Sequence, residues 1–599
     1  MRVDKATGTI VNDETFIIPV PNSDRYVVSP NQALIVDKSI GVLANDNLPA
    51  GRAVKVFQFI GNPTKHGSLF LSEDGAFTYT PDSDYVGEDS FVYNVCNGNA
   101  CANAKVTLSI GFTLDPADRY VWMLPPASNL QQQGFVRLNN RSDNADLVTI
   151  WGVDATGRRS SGTVSLTLAA HESRQLNSQD LEQGNPAKGL TGGLGIGTGN
   201  WILVVHSALD LEALAYIRTP DGFLTPIHDR VEGDGVDWFV PMFNPAENPN
   251  QVSRLRVINT SLQAVSLQIL GVDDAGAVGA GPVGVTVAAL SSVELSSADL
   301  ENGNVAKGLI GKLGNGTGKW HLSVSATGRV TLQSLLLDPK GYLTNLSTLP
   351  DLTERVPGER TLWLVPSAAN SQQQGFVRLT NRENRASDVA LWGIDDAGQR
   401  SSGTITLRLT PRQSLQLTAQ DLEAGNPAKG LSGSLGSGTG NWRLVLLTDL
   451  DLLPMGLIRT PDGFLTTVHD TVAGDGLNTR VPMFNPADNP NQVSALRLVN
   501  PNNASTSVTI RGVDDAGRTS AAVNLTLAAN AALEVTATEL EQGNAAKGVT
   551  GGLGNGTGKW TLTVTASAPV KVMSLLRDPK GYLTNLSNGT QGGTDKLDP

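Results

Sequence analysis

Cysteine is almost missing from this chain: Cys96 and Cys101 are the only two in 599 residues, and histidine numbers six. With no His or further Cys near that pair, a metal or redox role has nothing to complete it. The lack of histidine also leaves little room for a Ser-His-carboxylate hydrolase, and no Gly-x-Ser-x-Gly elbow accompanies the His-Asp pairs at His228-Asp229 and His469-Asp470. No apolar run approaches the roughly 18 to 20 residues that span a bilayer, so membrane insertion is not expected. Basic charge is in deficit, 45 residues against 57 acidic, for a net charge of −12. An acidic surface does not attract nucleic acid or an anionic membrane. Aromatics are sparse at 5%. The start, Met1-Arg2-Val3-Asp4-Lys5, carries no apolar h-region. The expectation is that residue 1 is a cut inside a longer protein.

What is plentiful is glycine (64) with proline (31), the mark of many short strands joined by turns. The length suggests roughly four to six domains, and internal repetition organises most of them. Gly-Thr-Gly-Asn/Lys-Trp ends at Trp201, Trp320, Trp442 and Trp560, spaced 119, 122 and 118 apart. Gly-Val/Ile-Asp recurs at Asp154, Asp273, Asp395 and Asp514, and Asp/Glu-Leu-Glu-x-Gly-Asn at Asp180, Asp299, Asp421 and Glu539. Three markers in one register define four repeats of about 120 residues. The first and third share Gln-Gln-Gln-Gly-Phe-Val-Arg-Leu (from Gln131 and Gln372); the second and fourth share Val-Pro-Met-Phe-Asn-Pro-Ala (from Val240 and Val481). The order is therefore A1, B1, A2, B2, at 118–235, 236–355, 360–476 and 477–590, with a disordered tail expected at 591–599. An A-B pair duplicated as a unit hints that A packs on B.

Within a repeat the periodicity is that of strands. Val148, Leu267, Val389 and Val508, and then Ile150, Ile269, Leu391 and Ile510, are always aliphatic, while Thr149, Gln268, Ala390 and Thr509 lie between them. One short helix is expected at Thr418–Glu423, where Thr418 and Asp421 have capping-box spacing. The whole reads as tandem antiparallel β-sandwiches, all-β, in an elongated array.

Residues 24–112 differ. Gly41-Val42-Leu43-Ala44-Asn45-Asp46, His66-Gly67-Ser68-Leu69, Asp74-Gly75-Ala76-Phe77-Thr78-Tyr79-Thr80-Pro81 and Tyr85-Val86-Gly87-Glu88-Asp89-Ser90-Phe91-Val92-Tyr93 follow in order. This segment resembles the cadherin-like, immunoglobulin-type tandem repeats of large bacterial surface proteins. Asn97-Gly98 sits between the two cysteines as a hairpin-turn signal, so Cys96 and Cys101 can pair across it, which implies an oxidising compartment. Upstream, Ala6–Glu14 resembles the last strand of a calcium-binding Calx-beta domain, with residues 1–23 its remnant and a linker. The four long repeats are similar to a repeat type of secreted bacterial proteins. Together the resemblances imply an extracellular location and make calcium the one candidate ion, with Asp13, Asp46 and Asp89 as its carboxylates. Where relatives often carry Asp-Pro-Asp-Gly-Asp, this chain has Asn47-Leu48-Pro49-Ala50-Gly51, which removes ligands. No other cofactor is expected.

The Gly-rich stretch Gly311–Trp320 fails as a phosphate loop, since Leu313 stands where the first Gly belongs and Trp320 where Ser/Thr should follow Lys319. The Asp-Leu-Glu carboxylates suit helix capping and pairing with the repeated Arg (Arg137, Arg256, Arg378, Arg497) or Lys (Lys188, Lys307, Lys429, Lys547). Turns of the Asp273-Asp274 type offer too few oxygens for a calcium cage. Trp151 and Trp392 project from the non-core face, where the B repeats hold Leu270 and Arg511. They suit an interface between repeats or a platform for a sugar ring. No catalytic residue is expected. The leading expectation is an adhesive scaffold segment of a surface protein whose partner is a host or cell-surface glycan or protein. A carbohydrate-binding array, or accessory modules of an enzyme lying outside the chain, are the alternatives. Self-assembly is not readable from the residues.

Overall fold

Strand-forming alternation runs through the whole chain, and a computed structural model divides it into two units, Met1–Thr113 and Leu114–Pro599. The structure describes residues 19–587 except 29–32, 39–40, 47, 49–52, 60–62, 84, 86, 98–99, 111–117, 221, 234, 262, 350–357 and 461–462. The Calx-beta-like stretch, Asp13 and the 591–599 tail lie outside the described residues.

Among the described residues the first unit has seven strands: β1 (Asp24–Val28), β2 (Leu34–Val36), β3 (Lys55–Gln58), β4 (Gly67–Leu71), β5 (Phe77–Pro81), β6 (Gly87–Asn97) and β7 (Ala100–Ile110). They form sheets of order β1-β7-β6-β3 and β2-β5-β4, with β1 parallel to β7. On β6, Phe91, Tyr93 and Val95 point inward with Phe77, Tyr79, Val106 and Leu108, as the period of two requires. Cys96 and Cys101 face each other in the β6–β7 ladder and form a disulfide with Cα atoms 4.1 Å apart. Closing so short a loop is worth about 2 kcal/mol. Mild reduction is therefore expected to lower the unfolding midpoint of the first unit and leave that of the second in place, as two-probe thermal melts with and without dithiothreitol will read.

In repeat A1 the elements are β8 (Asp118–Leu124), β9 (Gln133–Asn140), β10 (Asp146–Val153), β11 (Val164–Leu168), β12 (Ser173–Asn177), α1 (Ser178–Gln183), β13 (Trp201–His206), β14 (Leu211–Arg218) and β15 (Leu224–Pro226). They make two antiparallel sheets, β11-β10-β13-β8 and β12-β9-β14-β15, and the same order recurs in the other three repeats, with a short strand, Thr550–Gly551, added at the edge of the first sheet in B2. Helix α1 is a single capped turn: the Asn177 side chain accepts from Asp180 N–H and the Asp180 carboxylate accepts from Asn177 N–H. The expected Thr418–Asp421 box is present in A2.

The two sheets differ in burial. In β10, Val148 and Ile150 are buried while Thr149 and Trp151 are half-buried, so one face meets water. In β9 and β14 nearly every residue is buried, which requires cover on both faces. The neighbouring repeats supply it. Apolar clusters join A2 to B2 (Trp363, Ile458, Met573, Leu583), B2 to A1 (Met483, Leu576, Phe135, Tyr216) and B1 to A2 (Met242, Leu336, Phe376, Met455). Leu335 and Leu343 of B1 enter the A1 core. The sandwiches are tandem and antiparallel as expected, but the second unit is not an elongated array. Its fourth repeat packs on its first, and the four close into a ring.

Candidate functional site

Each junction of the ring is built from the same parts. The turn after the third strand of one repeat docks on the inner sheet of the next. Backbone N–H groups of Ser292, Ser414, Ala532 and Ser173 donate to the carbonyls of Ala155, Asp274, Asp396 and Asp515. Beside them lie the four repeated arginines, all fully buried. Arg378, Arg497 and Arg137 meet Asp274, Asp396 and Asp515 at 2.7, 2.6 and 2.7 Å. These arginines thus pair across junctions, not with the Asp-Leu-Glu carboxylates. At the A1–B1 junction residue 155 is alanine, and Arg256 pairs with Glu294 of its own repeat at 3.2 Å. Glu294 also accepts from Asn200 of A1.

The repeated carboxylates around the short helices are consumed locally. Asp180, Asp299, Asp421 and Glu539 cap their helices and pair with Lys188, Lys307, Lys429 and Lys547 at 2.6 to 2.9 Å. Those bonds hold the Asp421 carboxyl down at about 2, against the opposing push of its burial. Glu182, Glu301, Glu423 and Glu541 accept from the indole N–H of the four repeated tryptophans at 2.7 to 3.0 Å. Those rings are buried in the cores, and a Cβ on Gly316 would stand 2.6 Å from the Trp320 ring, which is why glycine lies there. The Gly-rich loop wraps the double-Asp turn: Thr317 N–H donates to Asp273 and Lys319 N–H to Asp274. These carboxylates are satisfied by backbone donors.

His321 sits at the B1–A2 junction, 4% exposed. Its burial, together with Arg378 and Arg412, pulls the imidazole down to about 4. Between pH 6.5 and 4 the unfolded chain binds the extra proton, so stability falls with pH across that window. About 3 kcal/mol present at pH 7 is expected to be lost by pH 4. A His321→Gln variant should flatten that part of a urea-midpoint profile.

Of the candidate calcium ligands, Asp89 accepts from Lys65, His66 and Ser90 N–H and from the Tyr79 hydroxyl. Asp46 accepts from Asn22 N–H and Tyr93. The two are bound into separate hydrogen-bond sets, and no group of three or more His, Cys, Asp or Glu suited to a metal occurs among the described residues. His228 and His469 are buried and face the carbonyls of Ala215 and Gly456. The Asp229 and Asp470 carbonyls accept from Asn345 and Asn585 of the following repeat, a contact between repeats. Trp151 and Trp392 lie on the outer sheets, and each ring is faced by an arginine of its own repeat, Arg159 at 4.0 Å and Arg400 at 4.9 Å.

Where the four repeats meet, Phe223, Tyr342, Phe464 and Tyr582 form one cluster with every pair of rings 4.9 to 5.7 Å apart. Each follows a glycine whose carbonyl accepts from a glutamine of the preceding repeat around the ring: Gln132 to Gly341, Gln251 to Gly463, Gln373 to Gly581 and Gln492 to Gly222. Beside these loops, each A repeat carries a cleft. That of A1, about 700 Å³, is shared with B2 and lined by Asn129, Gln133, Arg218, Asn491 and Gln492 among others. That of A2, about 510 Å³, is lined by Asn370, Gln374 and Arg459. Arg218 lies 4.8 Å over the Phe135 ring and donates to the Gln133 side-chain carbonyl at 2.6 Å; Arg459, Phe376 and Gln374 repeat this at 4.9 and 2.6 Å. Sequence reasoning passed over these residues, although Gln-Gln-Gln-Gly-Phe stood out as private to the A repeats and was the available signal.

Residues 16–109 match the family model of the bacterial Ig domain. The first unit is thus an immunoglobulin-like sandwich of bacterial type. A search of curated protein sequences finds no match. Among solved structures the chain is similar to an endo-fucoidan hydrolase of glycoside hydrolase family 107, at 10% identity and TM-score 0.13, over 35% of this chain and 28% of the other. It is also similar to the Bacteroides ovatus mixed-linkage glucan utilization locus protein SGBP-B, solved with a heptasaccharide, at 10% identity and TM-score 0.13, over 72% and 100%. Drosophila N-cadherin EC1-4 aligns at 10% identity and TM-score 0.13, over 67% and 98%. Likeness at this level carries no argument about function. The chain spans about a quarter of the length of that fucoidan hydrolase.

Proposed function

We propose that this chain is an extracellular, non-catalytic adhesive scaffold segment of a larger bacterial surface or secreted protein, in which the four-repeat ring serves as a rigid head. The carrying observation is the ring itself: the same backbone contact closes each of four junctions, with a buried repeated arginine beside it and, at three of them, a cross-junction carboxylate pairing with that arginine. A structure that spends its polar side chains on internal bonds has rigidity to offer and little reactive machinery. The bacterial Ig domain at 16–109 and the Cys96–Cys101 disulfide support an oxidising, exterior setting. No helix among the described residues is long and apolar enough to cross a membrane. The identification of residues 6–14 with a Calx-beta strand, and of the four repeats with a secreted repeat type, belongs to the same proposal. An antibody raised to residues 114–599 should label intact producing cells or their medium. Labelling that requires lysis refutes the reading.

A further inference from the structure

We propose that the two clefts of the A repeats are polysaccharide-binding sites, held by one ring so that a single chain binds bivalently. The inference rests on the adhesive-head reading and names its ligand class. The clefts recur by repeat symmetry: Asn129, Gln133, Arg218 and Thr219 of the first correspond, 241 residues on, to Asn370, Gln374, Arg459 and Thr460 of the second. The B repeats do not reproduce them. Val252 and Leu337 stand where Gln133 and Arg218 would be in B1, and in B2 Val493 replaces the glutamine while Arg577 is committed to Glu534.

The lining chemistry suits sugars. The Gln133 and Gln374 side-chain oxygens accept from Arg218 and Arg459, and the Asn129 and Asn370 oxygens accept from backbone N–H groups of their own loops, so these amides turn their NH2 groups, as donors, toward the hydroxyl oxygens of a ligand. Each arginine is held over a phenylalanine ring and donates to a glutamine side-chain carbonyl, a preorganised donor that costs little ordering on binding. The volumes fall within the roughly 300 to 1,000 Å³ of ordinary ligand sites. Two sites on one rigid body raise apparent affinity for a polymer by roughly 10²- to 10⁴-fold over a single cleft.

Affinity electrophoresis of the full chain in native gels containing laminarin, xylan, dextran or polygalacturonate tests this. Retardation by at least one polymer is expected. Arg218→Ala with Gln133→Ala should weaken it at least about tenfold, and adding Arg459→Ala and Gln374→Ala should abolish it, with the unfolding midpoint unchanged. Retardation confined to polygalacturonate assigns a carboxylate to the arginine; retardation by a neutral polymer assigns hydroxyls to the amides. Unaltered mobility in all four gels overturns the proposal. So does a four-site variant that is retarded like the parent, or binding that is lost instead with Trp151→Ala and Trp392→Ala. None of these outcomes touches the cell-surface labelling, so the head reading can stand if the clefts fail.

Discussion

Replacing Asp515 with alanine is expected to destabilise the second unit by about 3–5 kcal/mol, measured as a shift of its urea midpoint. Asp515 carries the charge that faces Arg137 across the seam between the fourth and first repeats. The Arg137 side chain is 1% exposed, and its Nε and Nη1 have no partner among the described residues, so truncating the carboxylate strands a buried cation. Lys559 lies at the same seam, brought down to about 8 by burial and by Arg137; loss of Asp515 removes a carboxylate that opposes that drop. The seam joins the first and fourth repeats, so the radius of gyration from solution scattering should rise if it parts. Arg137→Met combined with Asp515→Ala should recover most of the loss, because two apolar groups strand no charge. A single substitution that leaves the midpoint within about 0.5 kcal/mol would mean the ring is held elsewhere.

Trp320→Ala should cost a similar amount, about 3–5 kcal/mol, but confined to repeat B1. The ring is 1% exposed and lies in the core with Leu322, Val324 and Leu300. Its removal empties the space that Gly271 and Gly316 leave for it and takes the indole donor from Glu301. Trp320→Phe separates these terms: it keeps most of the apolar volume and loses the hydrogen bond, so about 1–3 kcal/mol is expected. Urea unfolding followed by circular dichroism measures both. Equal losses for the two variants would show that the bond to Glu301, and not the filled volume, governs the site.

The sandwich was legible in the sequence because it is a local matter of alternation and turns. Val148 and Ile150 against Thr149 and Trp151 disclosed one wet sheet, and Thr418–Asp421 disclosed the cap. The disulfide followed from two cysteines flanking Asn97-Gly98. The ring was not legible, because closure depends on residues some 380 positions apart, such as Arg137 and Asp515, whose partnership no local pattern announces. A clue was present in Ala213–Ile217, a run with apolar residues on both faces of its strand. The clefts were hidden for a related reason. Gln133, Arg218 and Asn491 come from two repeats at opposite ends of the ring, and only closure sets them side by side.

Ala155 also dictates which repeat stands next to which. Arg378 of A2 requires a carboxylate from its neighbour, and Gln416 occupies the place from which Glu294 serves Arg256 in B1. If the A1 turn were to dock on A2, within one molecule or between two copies, Arg378 would be entombed without a counter-ion. Near-identical repeats invite such misassembly during folding, and the mismatch of one alanine and one glutamine penalises it.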